Sequence, residues 1–145
     1  MHKKIQILHV ITNISDGGLE KVVYFIASQV KNEKLVHNVA VLTQHESGFL
    51  YSKFQELGIK IVSLNFENKK GLISSIFINL KETFKLAFLI SKLRINIVHT
   101  HDFFPAFVSR IAVLISWLIL FYKPEKIFVT LHNIIGRASC RERVV

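Results

Sequence analysis

A single cysteine, Cys140, among 145 residues excludes an internal disulfide framework and fits a reducing compartment better than a secreted one. Acidic residues are few: ten Asp and Glu stand against nineteen Lys and Arg, a formal net charge of +9. A basic chain attracts anionic partners. Here the cations are scattered and no DNA- or RNA-reading signature accompanies them, so nucleic acid is not expected as a partner. A membrane-spanning helix needs roughly twenty apolar residues. The run Ile111 to Tyr122 is shorter, contains Ser116, and reads as a buried or surface-seated helix. The apolar stretch behind Met1-His2-Lys3-Lys4 ends at Thr12 with no small-residue cleavage site, so a signal peptide is not expected.

Half of the residues are hydrophobic, which suffices for one domain with a core and argues against disorder. Ile5 to Ile11 is a continuous apolar run, as in a parallel strand buried on both faces. After Gly18, residues Leu19, Val22, Val23, Ile26, Ala27 and Val30 recur at helical spacing, with Asp16 or Gly17 at the N-cap. Strands are expected at Asn38–Thr43, Lys60–Asn65, Ile95–Thr100 and Lys126–Leu131. Helices are expected at Gly48–Leu57, with Gly58 as its stop, at Leu72–Leu93, and from Pro105 to Tyr122, ended by Pro124. In the third helix, Leu80, Phe84, Ala87 and Phe88 fall on the broad apolar face, and Trp117 with the phenylalanines around it reads as core. Lys85, Lys92, Arg94 and Arg110 read as a solvated face. Asn65 to Gly71 reads as a polar loop.

Strict alternation of strand and helix predicts an α/β fold, a Rossmann-like, doubly wound parallel sheet in three α/β/α layers. In the common strand order 3-2-1-4-5, strands one and four are neighbours where the order reverses, and ligands bind outside the carboxyl ends there. Three polar turns should then meet at one crevice: Asn13 to Gly18, His101-Asp102-Phe103-Phe104, and Leu131-His132-Asn133. Gly17-Gly18 opens a helix whose free N–H groups suit a phosphate. It also suits an ordinary tight turn, and it lacks both the third glycine of the dinucleotide fingerprint and a Walker lysine.

His99 and His101 share a strand face. They could be a metal pair completed by Asp102 and His132, but no cysteine or glutamate cluster supports one, and no metal is expected. The preferred reading makes His99 a core or helix-facing residue with its ring hydrogen-bonded. It places His101 at the mouth, as an acceptor-binding or proton-transfer group. His132 can meet a sugar hydroxyl or phosphate, or merely cap a strand. Glu20 reads as serving the helix terminus.

The segments Ile7-Leu8-His9-Val10-Ile11, Gly17-Gly18-Leu19-Glu20-Lys21-Val22-Val23, Leu57-Gly58-Ile59-Lys60-Ile61, Ile97-Val98-His99-Thr100-His101 and Val129-Thr130-Leu131-His132-Asn133 stand in this order. Together they resemble the N-terminal, acceptor-side domain of family-4 retaining glycosyltransferases of the GT-B fold, over about residues 3 to 134. The resemblance implies transfer of a sugar from a nucleotide-sugar donor to a glycan or lipid-linked acceptor, with retention and without a cofactor. It places Gly17 and Gly18 against the donor phosphates, His132 as the catalytic contact near the reacting centre, and His101, Asp102 and Asn13 on the acceptor side. It also implies a missing second domain, hence an inactive fragment, and by analogy a cytoplasmic role in polysaccharide biosynthesis, peripheral at the inner face of the plasma membrane. Two readings remain beside it: a stand-alone Rossmann-like module for a phospho-ligand, and a peripheral domain seated on an anionic membrane surface.

Domain organisation is expected as residues 1–134 for the Rossmann-like domain and 135–145 for a non-native tail. The tail holds Arg137, Arg141 and Arg143, three of the chain's five arginines. It resembles one reading frame of a widely used short-read sequencing adapter, which suggests read-through. Removing its three arginines and one glutamate lowers the formal charge from +9 to +7.

Overall fold

The runs rich in Ile and Val settle as strands, and the longer amphipathic runs between them as covering helices. A computed structural model describes residues 4–15, 17–29, 34–43, 49–66 and 72–131, with 72–78 by backbone alone. The elements are β1 (Ile5–Ile11), α1 (Gly18–Gln29), β2 (Leu35–Val41), α2 (Phe49–Glu56), β3 (Lys60–Ser63), α3 (Leu72–Lys92), β4 (Ile97–His101), α4 (Phe103–Leu120) and β5 (Lys126–Thr130). All strand pairs are parallel, and the sheet order is β3-β2-β1-β4-β5. The order reverses between β1 and β4, the switch point of a doubly wound sheet.

Element ends differ from expectation by a few residues. β2 begins at Leu35 because Leu35, Val36 and His37 already pair with Ile5, Gln6 and Ile7. β4 extends to His101, which pairs with Thr130. Gly58 stops α2 in the left-handed conformation, φ 71°, which glycine adopts without a Cβ clash. α4 stops earlier than Pro124 requires: Phe121 takes φ 52° and its N–H bonds to the Ser116 carbonyl. The N-cap position Asp16, the α1 residue Val30, the helix start Gly48, loop residues 67–71 and the tail 135–145 lie outside the described residues.

Two cores sandwich the sheet. Under α1 and α2 lie Ile11, Val23, Val39, Val41 and Phe54, the Phe54 ring edge-on to Tyr24 at 5.6 Å. Under α3 and α4 lie Leu8, Val10, Leu86, Ile90, Val98 and Ala112. Each fully buried Leu, Ile or Phe contributes about 1.5–3 kcal/mol.

The helix faces correct the sequence reading. On α3, Leu80, Phe84 and Phe88 are exposed, whereas Thr83, Leu86, Ala87 and Ile90 point inward. On α4, Ala106, Ser109, Ala112, Val113 and Ser116 are buried, and Trp117 is 51% exposed rather than core. Small side chains let the two helices approach the sheet and each other closely, and the bulky apolar residues are displaced outward. Val22 of α1 likewise faces solvent, at 40% exposure, while Val23 is buried. Glu82 is buried on α3 because both its oxygens are engaged, one by Lys85 Nζ at 2.7 Å and one by the Asn65 N–H at 3.2 Å. α4 has the length and apolar composition of a membrane span. It joins two hydrogen-bonded neighbours in one sheet, so it lies along that sheet.

Candidate functional site

Because every strand is parallel, the carboxyl ends of β1, β4 and β5 emerge at one edge. Past β1, the pairing with the β2 segment continues: Leu42 N–H bonds to Ile11 O at 3.0 Å, and Thr43 gives both its N–H and its hydroxyl to Thr12 O, each at 2.8 Å. These bonds fix the loop that carries half-buried Asn13, with Ile14 plugged into the core. Ser15 Oγ then donates to Glu20 Oε1 at 3.1 Å, closing the turn over Gly17. A Cβ built on Gly17 would lie 2.5 Å from Glu20 Oε2, whereas one on Gly18 meets nothing within 4 Å. The two glycines therefore differ in role. Gly17 makes room for the Ser15–Glu20 tie, and Gly18 leaves the first turn of α1, with its free N–H groups, open to solvent. Glu20 is 94% shielded, at 6% exposure, and serves the helix terminus.

Asp102 forms the β4–α4 junction. Its N–H bonds to Thr130 O at 2.8 Å, tying the β4 and β5 tips together. Its Oδ1 accepts the Phe103 N–H at 2.8 Å as the N-cap of α4. The backbone sits at φ 86°, ψ 170°, a region occupied almost only by glycine and worth about 1–3 kcal/mol of strain. Such torsions persist only where the surrounding structure holds them in place. Beside it, Phe66, Asn79, Leu80, Thr83, Phe104, Phe107, Val108 and Ile111 line an apolar cleft of about 260 Å³ between α3 and α4.

His101 requires a correction. Expected at the mouth, it is fully buried. Strand alternation does place it on the face of His99, but that face is the one covered by α1, and β1 supplies a further histidine to it. His9 pairs in register with His99, and its Nδ1 lies 3.3 Å from His101 Nε2. On the other side His9 Nε2 lies 3.0 Å from His37 Nδ1, the two rings stacked at 5.3 Å. His99 is half-buried, with Nε2 2.9 Å from Thr130 Oγ1, a hydrogen-bonded ring as the preferred reading requires.

Ring nitrogens of His9, His99 and His101 lie within 4.8 Å of one another. Burial, reinforced by the neighbouring imidazoles, holds His9 well below the usual histidine range, and burial lowers His37 too. His9 and His37 were not singled out from sequence. The signal that finds them is strand order combined with alternation, which lines up one face across β2, β1 and β4. His132 and Asn133 lie outside the described residues.

A parallel 3-2-1-4-5 sheet with a glycine-opened helix at its switch point defines a Rossmann-like domain. It is similar to the glycosyltransferase from Rickettsia africae ESF-5, with TM-score 0.64 and 21% identity over 98% of this chain and 34% of that one. It is similar also to MurG from Acinetobacter baumannii, with TM-score 0.63 and 15% identity over 96% of this chain and 39% of that one. The lipopolysaccharide outer core galactosyltransferase WaaB matches with TM-score 0.62 and 15% identity over 88% of this chain and 33% of that one. At these identities the likeness speaks for the fold, and the chain spans about a third of the length of these structures. The family comes from the sequence itself: residues 16–143 match Glycosyltransferase Family 4, and the chain belongs to that family. Among curated proteins nothing matches it.

Proposed function

We propose that this chain is the acceptor-binding half of a glycosyltransferase that moves a hexose from a nucleotide-sugar donor to a glycan or lipid-linked acceptor, and that by itself it does not turn over. The observation that carries the reading is the shared edge. The glycine turn after β1 and the Asp102 junction after β4 leave neighbouring strands side by side, with the β5 tip hydrogen-bonded to Asp102.

In this reading the exposed first turn of α1 at Gly17 and Gly18 faces the donor phosphates, where preorganised N–H groups stabilise a departing nucleotide. Asp102 and Asn13 face the acceptor. His101 supports the β4 tip from beneath rather than touching sugar. His132 stands near the reacting carbon. The apolar cleft beside Asp102 suits the lipid portion of a lipid-linked acceptor. Transfer calls on no metal or cofactor, and the setting is cytoplasmic. The uninterrupted gene product, assayed with UDP-, GDP- and dTDP-hexoses, should release nucleoside diphosphate only when acceptor is present, and the 145-residue chain should not. Absence of release from the longer protein with every donor sinks the proposal.

A second reading adds a membrane seat. Phe107, Ile111, Leu114, Trp117, Leu118 and Phe121 form an exposed apolar stripe along α4, with Phe121 at 89% exposure. Lys123 lies over the Trp117 ring at 5.3 Å, and Arg94 over Tyr122 at 5.3 Å. An apolar stripe bordered by cations binds anionic interfaces. Co-sedimentation with phosphatidylglycerol vesicles at low salt, lost on Trp117→Ser, is the expected result. Equal recovery with and without anionic lipid removes the reading.

A further inference from the structure

We propose that His9, His99 and His101 form a binding site for a divalent transition-metal ion of the zinc class, with His37 as the positioning residue for His9. The site is separate from the transfer reading. It lies on the face of the sheet covered by α1, and its ion would tie β1 to β4.

Three neutral imidazoles are a sufficient protein ligand set for zinc, with water as the fourth ligand. Zn–N bonds of about 2.0–2.1 Å put two nitrogens of a tetrahedral site roughly 3.3–3.4 Å apart. The His9 Nδ1 to His101 Nε2 separation is 3.3 Å. The third ring, His99, brings all three ligand atoms within 4.8 Å, and its centroid is 4.1 Å from that of His101. Binding requires the half-buried His99 ring to move toward the other two.

Two of the three rings have the surroundings of an outer shell. A histidine bound to metal through one ring nitrogen customarily donates from the other. His9 Nε2 lies 3.0 Å from His37 Nδ1, and His99 Nε2 lies 2.9 Å from the Thr130 hydroxyl. With His9 donating, His37 must accept through Nδ1, which fixes both tautomers. Half-buried His37 and His99 leave a route for the ion. Packing alone does not call for several imidazoles buried together, since polar groups are costly to desolvate.

The test is titration of the chelator-stripped 145-residue chain with Co(II), followed by displacement with Zn(II). One equivalent should bind, with the intense visible absorption of four-coordinate cobalt. His99→Gln, chosen because the ring is half-buried, should weaken binding at least tenfold while far-UV dichroism is kept. A His45→Gln control should bind as the parent does. Unchanged affinity in His99→Gln, or loss in the control, overturns the site. If His99→Gln does not fold, the parent decides: zinc must shift the ring ¹⁵N signals of His9, His99 and His101 together at one equivalent. Ring signals that stay put leave only a neutral His37–His9–His101 hydrogen-bonded chain and overturn the proposal.

Discussion

His9 Nδ1 and His101 Nε2 face each other across the central strand pair at 3.3 Å, in the plane where the strand order reverses. This relationship joins residues 92 positions apart in sequence and explains why His101 is buried. Its ring meets that of His9 on the α1-covered face of the sheet.

The histidine layer makes stability depend on pH. The folded state holds His9 and His37 below the ordinary range, so the unfolded chain takes up protons first, near pH 6.5. Their contribution is complete above that pH and is lost as pH falls toward the folded-state values. For His9 the slope reaches about 1.4 kcal/mol per pH unit. Urea midpoints measured with EDTA at pH 7.5, 6.5 and 5.5 should fall most steeply in the last interval. His9→Gln should flatten that fall, and an equally steep decline in that variant assigns it to other groups.

The two glycines of the first turn should separate stability from function. Gly17→Ala drives a methyl into the Glu20 carboxylate and disturbs the Ser15 hydrogen bond, a loss of about 1 kcal/mol. Gly18→Ala meets open space and sits at the start of a helix, so stability should stay within about 0.5 kcal/mol or rise. In the longer protein, the same Gly18→Ala methyl should obstruct close approach of donor phosphates and raise the donor KM tenfold or more. A donor KM that does not move in Gly18→Ala removes the phosphate role from this turn.

Much of the architecture was legible because the signals were local. Apolar runs at Ile5–Ile11 and Ile97–Val98, a Gly-Gly opening and a Gly58 stop each specify an element without knowledge of its neighbours. Alternation likewise put His99 and His101 on one face. What stayed hidden depends on packing. α4 is apolar almost all round, so hydrophobicity could not say which side faces the sheet. The small residues Ala106, Ser109, Ala112 and Ser116 decide it and leave Trp117 outside. His9 reads as one more residue in a buried strand until register sets it beside His99. Asp102 looks like an ordinary helix cap, and its strain is visible only as a torsion angle.

His132 carries the role nearest the chemistry in the proposed function. In the longer protein, His132→Ala should cut kcat/KM for transfer by more than tenfold, over about 1.4 kcal/mol of transition-state stabilisation. KM for the acceptor should change little. A variant with near-normal rates removes the catalytic role from His132.

Asp102 offers the sharpest division between folding and function. The residue combines a favourable cap with an unfavourable backbone, φ 86° and ψ 170°. Glycine relieves the strain of about 1–3 kcal/mol. It gives up a few tenths of a kcal/mol as an N-cap and roughly 0.5–1 kcal/mol through the freer unfolded chain. Asp102→Gly should therefore be at least as stable as the parent. Asp102→Ala keeps the strain and loses the cap, a loss of about 1 kcal/mol. The expected stability order is Gly, then Asp, then Ala, read from urea unfolding of the 145-residue chain. If strain is retained at this junction because the carboxylate faces an acceptor, the longer Asp102→Gly protein should be as stable as its parent but several-fold poorer in acceptor KM. A stabilised variant with intact acceptor kinetics would show that the side chain serves only the start of α4.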